Sequence, residues 1–178
     1  MTTITRTWIA FAAIGTGLIH LALVIGAPLP LAIALGVLGL AEFAWGVLTF
    51  ARDRVPLPRV ALVVAIVPVV LWGLLLVVST VAEAPALAAS LPFVPFAVAT
   101  VFELFVAAVL AVHLRRPATD ARAATPGVAR YLAGLALGAL VVAALTTPAL
   151  AATQAGRIGQ PQQESTYEFD LPEHDSGH

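Results

Sequence analysis

Apolar residues fill five long stretches of this chain, at positions 8–26, 29–50, 60–81, 93–114 and 128–152, with short polar breaks between them. Each is close to the roughly 20 residues that a helix needs to cross ~30 Å of hydrocarbon. A helix satisfies its own backbone hydrogen bonds, which lipid cannot do for it. The pattern predicts an all-α fold, a polytopic membrane bundle of five transmembrane helices over 1–152. A polar tail, 153–178, follows. No other stretch is long enough to build a water-soluble core.

The breaks fix the connections. Little more than Ala27 and Pro28 joins the first two spans, which predicts an antiparallel hairpin. The second loop, 51–59, holds Asp53 and two prolines and ends both flanking helices. Pro68 falls inside the third span and predicts a kink there. The loop 82–92 is mildly apolar; the loop 117–127 is polar.

Charge sets the expected orientation. Eight of the nine arginines are Arg6, Arg52, Arg54, Arg59, Arg115, Arg116, Arg122 and Arg130, which fall on one face if five helices are threaded in order. Basic short loops stay cytoplasmic, so the N-terminus is expected inside and the C-terminus outside. Only Arg157 lies on the outer side.

Composition agrees with a membrane domain. The chain is 60% hydrophobic and 11% charged, against a usual charged share of about 25% in soluble proteins. Its mean hydropathy is +0.97. The absence of cysteine excludes disulfides and thiolate chemistry. Lysine and asparagine are also absent and alanine is abundant, which reads as the bias of a GC-rich bacterial genome. The expected location is the bacterial cytoplasmic membrane. The first span reads as retained, because no small-x-small cleavage site precedes Pro28 and a second span follows at once. Ala149-Leu150-Ala151 reads as an alanine-rich helix end.

Three ionisable residues lie deep in the spans: His20, Glu42 and Glu103. Their depths from the outer helix ends are about 9, 19 and 15 Å at ~1.5 Å per residue. Such groups are costly in a bilayer, so each is a candidate to carry an ion or a proton. Gly39 and Gly46 flank Glu42 on one stripe, Ala99 and Ala107 flank Glu103, and Thr16 precedes His20 by one turn. Small residues mark faces where helices meet, so all three groups are expected to point into the bundle. Interhelical hydrogen bonding alone would also explain them, and a His-plus-two-Glu metal site is chemically allowed. His113 stands at an inner helix end beside Arg115 and reads as an interfacial anchor. It lies too far from His20 for the two to clamp a haem.

Gly134-x-x-x-Gly138 in the fifth span is a close-packing motif and a candidate partner contact. In the tail, Tyr167, Phe169 and Leu171 alternate with Glu168 and Asp170, the period of an extended segment with one apolar face. They are candidate contacts to a partner protein on the outer side. His174 and His178, beside Glu173 and Asp175, offer a candidate zinc or copper site there. No other cofactor is expected, and no nucleic-acid partner is expected.

Gly17-Leu18-Ile19-His20, Trp72 with Ser79-Thr80, Leu91-Pro92 and Glu103-Leu104 give the first 115 or so residues a further feature. Their layout resembles a loose group of uncharacterised bacterial multi-helix integral membrane proteins. The third span lacks the arginine of that group. The resemblance implies the helical membrane fold and no activity.

The small size, the lack of a catalytic constellation and the patterned tail together suggest a non-catalytic accessory subunit of a larger bacterial membrane complex, held by lipid and by other subunits. The alternative is a small proton-coupled or metal-ion transporter using His20, Glu42 and Glu103. An enzyme ranks third, since no nucleophile–base pair or short-spaced ligand motif is visible.

Overall fold

The computed structural model describes residues 1–52, 54–81, 92–115 and 127–158. Tyr167, Phe169, Leu171, His174 and His178 lie outside the described residues, as do Asp53, Arg116 and Arg122. The described elements are all helices: α1 (Thr3–Leu23), α2 (Leu29–Ala51), α3 (Pro58–Val81), α4 (Phe93–Arg115), α5 (Val128–Ala151) and the short α6 (Gln154–Ile158). Five of them are long and apolar enough to cross a membrane.

Local chemistry explains the ends. α1 starts at Thr3, earlier than position 8, because Thr2 caps it. The Thr2 hydroxyl oxygen accepts the Thr5 N–H at 3.2 Å. The chain turns out of α1 at Gly26, whose φ of +87° suits glycine. α2 opens with Pro28 at its cap and Pro30 in its first turn. α3 runs through Pro68 without a break. Pro68 has no N–H, so the Val64 carbonyl loses its usual helical donor. At the far end, the Thr153 hydroxyl donates to the Leu150 carbonyl at 2.7 Å. Its oxygen accepts the Gly156 N–H at 3.1 Å, which starts α6.

The centre of the bundle is α1. Of the five long helices it is the least apolar and the most buried. It packs on α2, α4 and α5, whereas α3 joins the bundle through α4. The α1–α2 contact is very close. A Cβ on Gly39 would stand 2.8 Å from the Gly17 carbonyl oxygen, and one on Gly46 would stand 2.9 Å from the Ala10 carbonyl oxygen. Glycine is needed where backbones approach this near.

The α1–α5 contact uses Trp8. Its Nε1–H donates to the Gly134 carbonyl at 2.9 Å, and its ring lies over Gly138. Gly134 itself receives Ile4. Both glycines of the fifth-span motif are thus filled from within the chain. Trp72 holds α3 to α4, stacked on Phe96 with centroids 6.0 Å apart and planes at 9°.

These contacts run α1 parallel to α5 and antiparallel to α2 and α4. Arg6, Arg52, Arg54, Arg59, Arg115 and Arg130 therefore gather at one end of the bundle, the arginine end. Arg157, in α6, lies at the other.

The close approach makes a prediction. Gly39→Ala drives a methyl into backbone on α1 and should destabilise the fold by about 1–3 kcal/mol, the usual cost of overpacking. Gly73 has nothing within 4 Å of its Cβ position. Gly73→Ala should be neutral or stabilise by up to about 1 kcal/mol. Thermal unfolding midpoints in one detergent check both. Equal midpoints for the two variants would contradict the tight α1–α2 seam.

Candidate functional site

The α1–α2 seam places its polar groups. Gly17 and His20 are three residues apart on α1, and so are Gly39 and Glu42 on α2. Each pair therefore shares a helix face. Because the helices are antiparallel, His20 and Glu42 lie one turn to opposite sides of the Gly17–Gly39 contact, and their side chains reach back across it to meet. His20 Nδ1 lies 2.7 Å from Glu42 Oε2. Glu103 comes from the opposite wall, on the α4 stripe Ala99, Phe102, Glu103, Val106 and Leu110, all buried. Its Oε1 stands 3.8 Å from His20 Nε2.

The three groups are almost sealed from the surface, at 1%, 6% and 3% exposure for His20, Glu42 and Glu103. Their ligating atoms all lie within 4.8 Å of one another. The differing depths expected for them are bridged by side-chain reach. The Phe96 ring lies 6.5 Å from the imidazole at 56°, and Trp72 backs Phe96 from α3. The site thus draws on α1, α2 and α4 directly and on α3 through the two aromatics.

The two sides of the imidazole differ. One nitrogen is hydrogen-bonded to Glu42. The other faces Glu103 across a gap too long for a hydrogen bond. Glu103 Oε1 is buried with no hydrogen-bond partner. A neutral imidazole donates from one nitrogen and accepts at the other. With Nδ1–H given to Glu42, the Nε2 lone pair is turned toward Glu103. A proton brought to Nε2 can then leave from Nδ1. The same gap would fit a metal ion, since two bonds of ~2.0–2.2 Å span it. Nε2 and Glu103 would then be ligands, and Glu42 would orient the ring from behind.

Two cavities flank the trio. Toward the arginine end lies one of about 150 Å³, with Thr16, Glu42, Trp45, Ala61, Ala65 and Glu103 in its wall. Toward the other end lies a smaller one of about 70 Å³, bounded by Leu23, Leu35, Phe96 and Gln154. The cluster sits between them.

The remaining candidates lie apart from this centre. His113 borders a separate cavity with Met1, Thr2 and Thr5 at the arginine end. Gly134 and Gly138 serve the α1–α5 contact. Sequence reasoning named Trp72 without placing it at the site, and missed Phe96 and the larger cavity. The spacing of Phe96, Ala99 and Glu103 on one helical stripe was a usable signal for Phe96. The cavity had none, because it depends on which helices fail to meet.

No protein-family model matches the chain, and neither does any curated protein or solved structure.

The unequal bonding predicts unequal consequences. His20→Ala and Glu42→Ala each strand a buried polar partner and should each destabilise by about 1–3 kcal/mol. The double variant should lose less than their sum, by about 0.5–3 kcal/mol, because the two act as one pair. Glu103→Gln breaks no hydrogen bond at Oε1 and should shift stability by less than about 1 kcal/mol. Thermal unfolding in lipid nanodiscs measures all four. A loss at Glu103→Gln as large as at His20→Ala would make Glu103 a structural tie.

Proposed function

We propose that this chain is a multi-pass protein of a bacterial cytoplasmic membrane, with the arginine end inside, and that it couples transport to proton movement through Glu103, His20 and Glu42. The supporting observation is the state of Glu103. A carboxyl that merely ties helices together would be hydrogen-bonded on both oxygens. Glu103 instead presents a buried, unpaired Oε1 to an imidazole whose far nitrogen is already engaged. Two carboxyls and one imidazole at this depth need a proton or another cation for charge balance. An approach of about 1 Å closes the gap to hydrogen-bond length. A proton then passes from Glu103 to Nε2, while Nδ1 releases one to Glu42. Both carboxyls line the larger cavity, and the smaller one lies beyond them toward the other end. A freely conducting path would dissipate the proton gradient, so the step is coupled to movement of another solute.

The accessory-subunit reading rests on the small size, the lack of a catalytic constellation and the tail, and the tail lies outside the described residues. Among the described residues, the polar cluster gives the transporter reading the stronger physical basis.

Two measurements test the proposal. Infrared difference spectra of the protein in bilayers, taken across a pH titration, should show a buried carboxyl band that responds to pH. Glu103→Gln should remove that band, and His20→Ala should uncouple it from Glu42. A cluster whose carboxyl bands stay constant wherever the protein remains folded carries no proton. For orientation, a reporter fused after His178 should read outside and one inserted at Asp120 should read inside. An inside reading at the C-terminus contradicts the five-span threading.

A further inference from the structure

We infer that the larger cavity is a binding site for a lipophilic primary ammonium, which enters between α2 and α3 and sets its charged head on Glu103. The inference deepens the proton reading and rests on it for one step, the exchange of the ammonium for a proton.

The cavity exists because two neighbours in the chain stay apart. α2 packs on α1, and α3 packs on α4. The gap between α2 and α3 is spanned at its base by Trp45, whose Nε1–H donates to the Pro56 carbonyl at 2.7 Å. Leu57 takes up the turn with a φ of 43°, a strained value for a side chain of its size. Ala41, Leu57 and Val60 line the space and are themselves exposed. The mouth therefore opens on the flank between α2 and α3, from Ala41 down to Leu57 and Val60 near the arginine end, and a ligand that partitions into lipid reaches it from the side. At about 150 Å³, the space matches an engineered cavity that holds one benzene-sized body.

The polar chemistry of the wall selects the head group. Thr16 spends its hydroxyl proton on the Ala12 carbonyl at 3.0 Å. Trp45 spends its N–H on Pro56. Four buried side chains among the described residues keep an unpaired polar atom, and only Glu103 is in this wall. Glu42 joins it, and Val64, whose carbonyl lost its donor to Pro68, lines the same space. With the carboxyls ionised, the wall offers acceptors and no free side-chain donor. A primary ammonium brings three donors and a positive charge. It matches the acceptors in number and completes a charge balance that one imidazole cannot. A carbonyl, phosphate or carboxylate ligand finds no such match.

The exchange balances simply. With Glu103 protonated, the site is neutral there and the amine is absent. The ammonium arrives as RNH₃⁺ and Glu103 releases H⁺ through His20 Nε2. The Glu103 O–H breaks as Nε2–H forms, Nδ1–H breaks as Glu42 takes that proton, and Glu42 then sheds one H⁺ to water, so one positive charge replaces another.

The probe is benzylamine, with benzyl alcohol as its uncharged match in shape, titrated calorimetrically into the full chain in lipid nanodiscs. Empty nanodiscs supply the partition baseline. Benzylamine should bind saturably and at least about tenfold more tightly than the alcohol. Glu103→Gln should weaken it by about tenfold or more, the loss of a charge-assisted contact. Ala65→Phe, which fills the cavity, should abolish binding. Ala61→Leu fills the same space with less bulk and stands in if Ala65→Phe fails to fold. Equal binding of amine and alcohol overturns the inference, as does binding that survives a folded cavity-filling variant or is unchanged in Glu103→Gln.

Repeating the titration in buffers of different ionisation enthalpy counts the protons released. Release of one proton per amine supports the exchange. Binding without release keeps the amine site and overturns the exchange. A pH-responsive carboxyl band with no benzylamine binding keeps the proton reading and overturns the amine site. If zinc ion binds instead, lost in His20→Ala and unaffected by Ala65→Phe, the trio is a metal site and the inference fails.

Discussion

An imidazole held between two carboxyls inside the apolar bundle is the constraint from which the rest of this structure follows. A carboxylate at the centre of a membrane helix costs about 2.5–3.5 kcal/mol even on the mildest scale. Two of them with one histidine can be tolerated only if they share protons or a cation. The protein sets them asymmetrically. Glu42 is bound to the ring at 2.7 Å, and Glu103 is held off at 3.8 Å. Glu42 is engaged by a short hydrogen bond, while Glu103 Oε1 is left without a hydrogen-bond partner.

The helix packing supplies that geometry. His20 and Glu42 meet because Gly17, Gly39 and Gly46 let α1 and α2 touch at backbone distance. α1 can serve as the hub because its faces are small: alanine, glycine and threonine toward three neighbours. α3 is handled differently. It is held to α4 by Trp72 against Phe93 and Phe96, and to α2 at its base by the Trp45–Pro56 bond. The same aromatics that hold α3 also stand behind the imidazole. Movement of α3 would change the cavity and the backing of His20 together, and this links the cavity to the polar cluster.

The sequence made the spans legible because length and hydropathy decide them almost alone. The three central residues were legible too. An ionisable group in an apolar stretch is conspicuous, and the glycines and alanines a turn away showed which face it occupies. The unequal bonding could not be read, since it depends on a difference of about 1 Å in side-chain reach across three helices. The role of Gly134 and Gly138 was half legible: the motif announced a close contact, but only the fold shows Ile4 and Trp8 filling it from α1. The cavity was invisible, because no residue pattern says that α2 and α3, neighbours in the chain, leave a gap.

The central claim is that the two nitrogens of His20 do different work. Solid-state nitrogen NMR of histidine-labelled protein in bilayers, assigned through His20→Ala, observes them directly. The account predicts that Nδ1 stays hydrogen-bonded to Glu42 while Nε2 changes its protonation as pH is varied, and that Glu103→Gln alters the Nε2 response and leaves Nδ1 in place. Two nitrogens that stay fixed together across the titration, or that respond identically in Glu103→Gln and the unmodified chain, would contradict it.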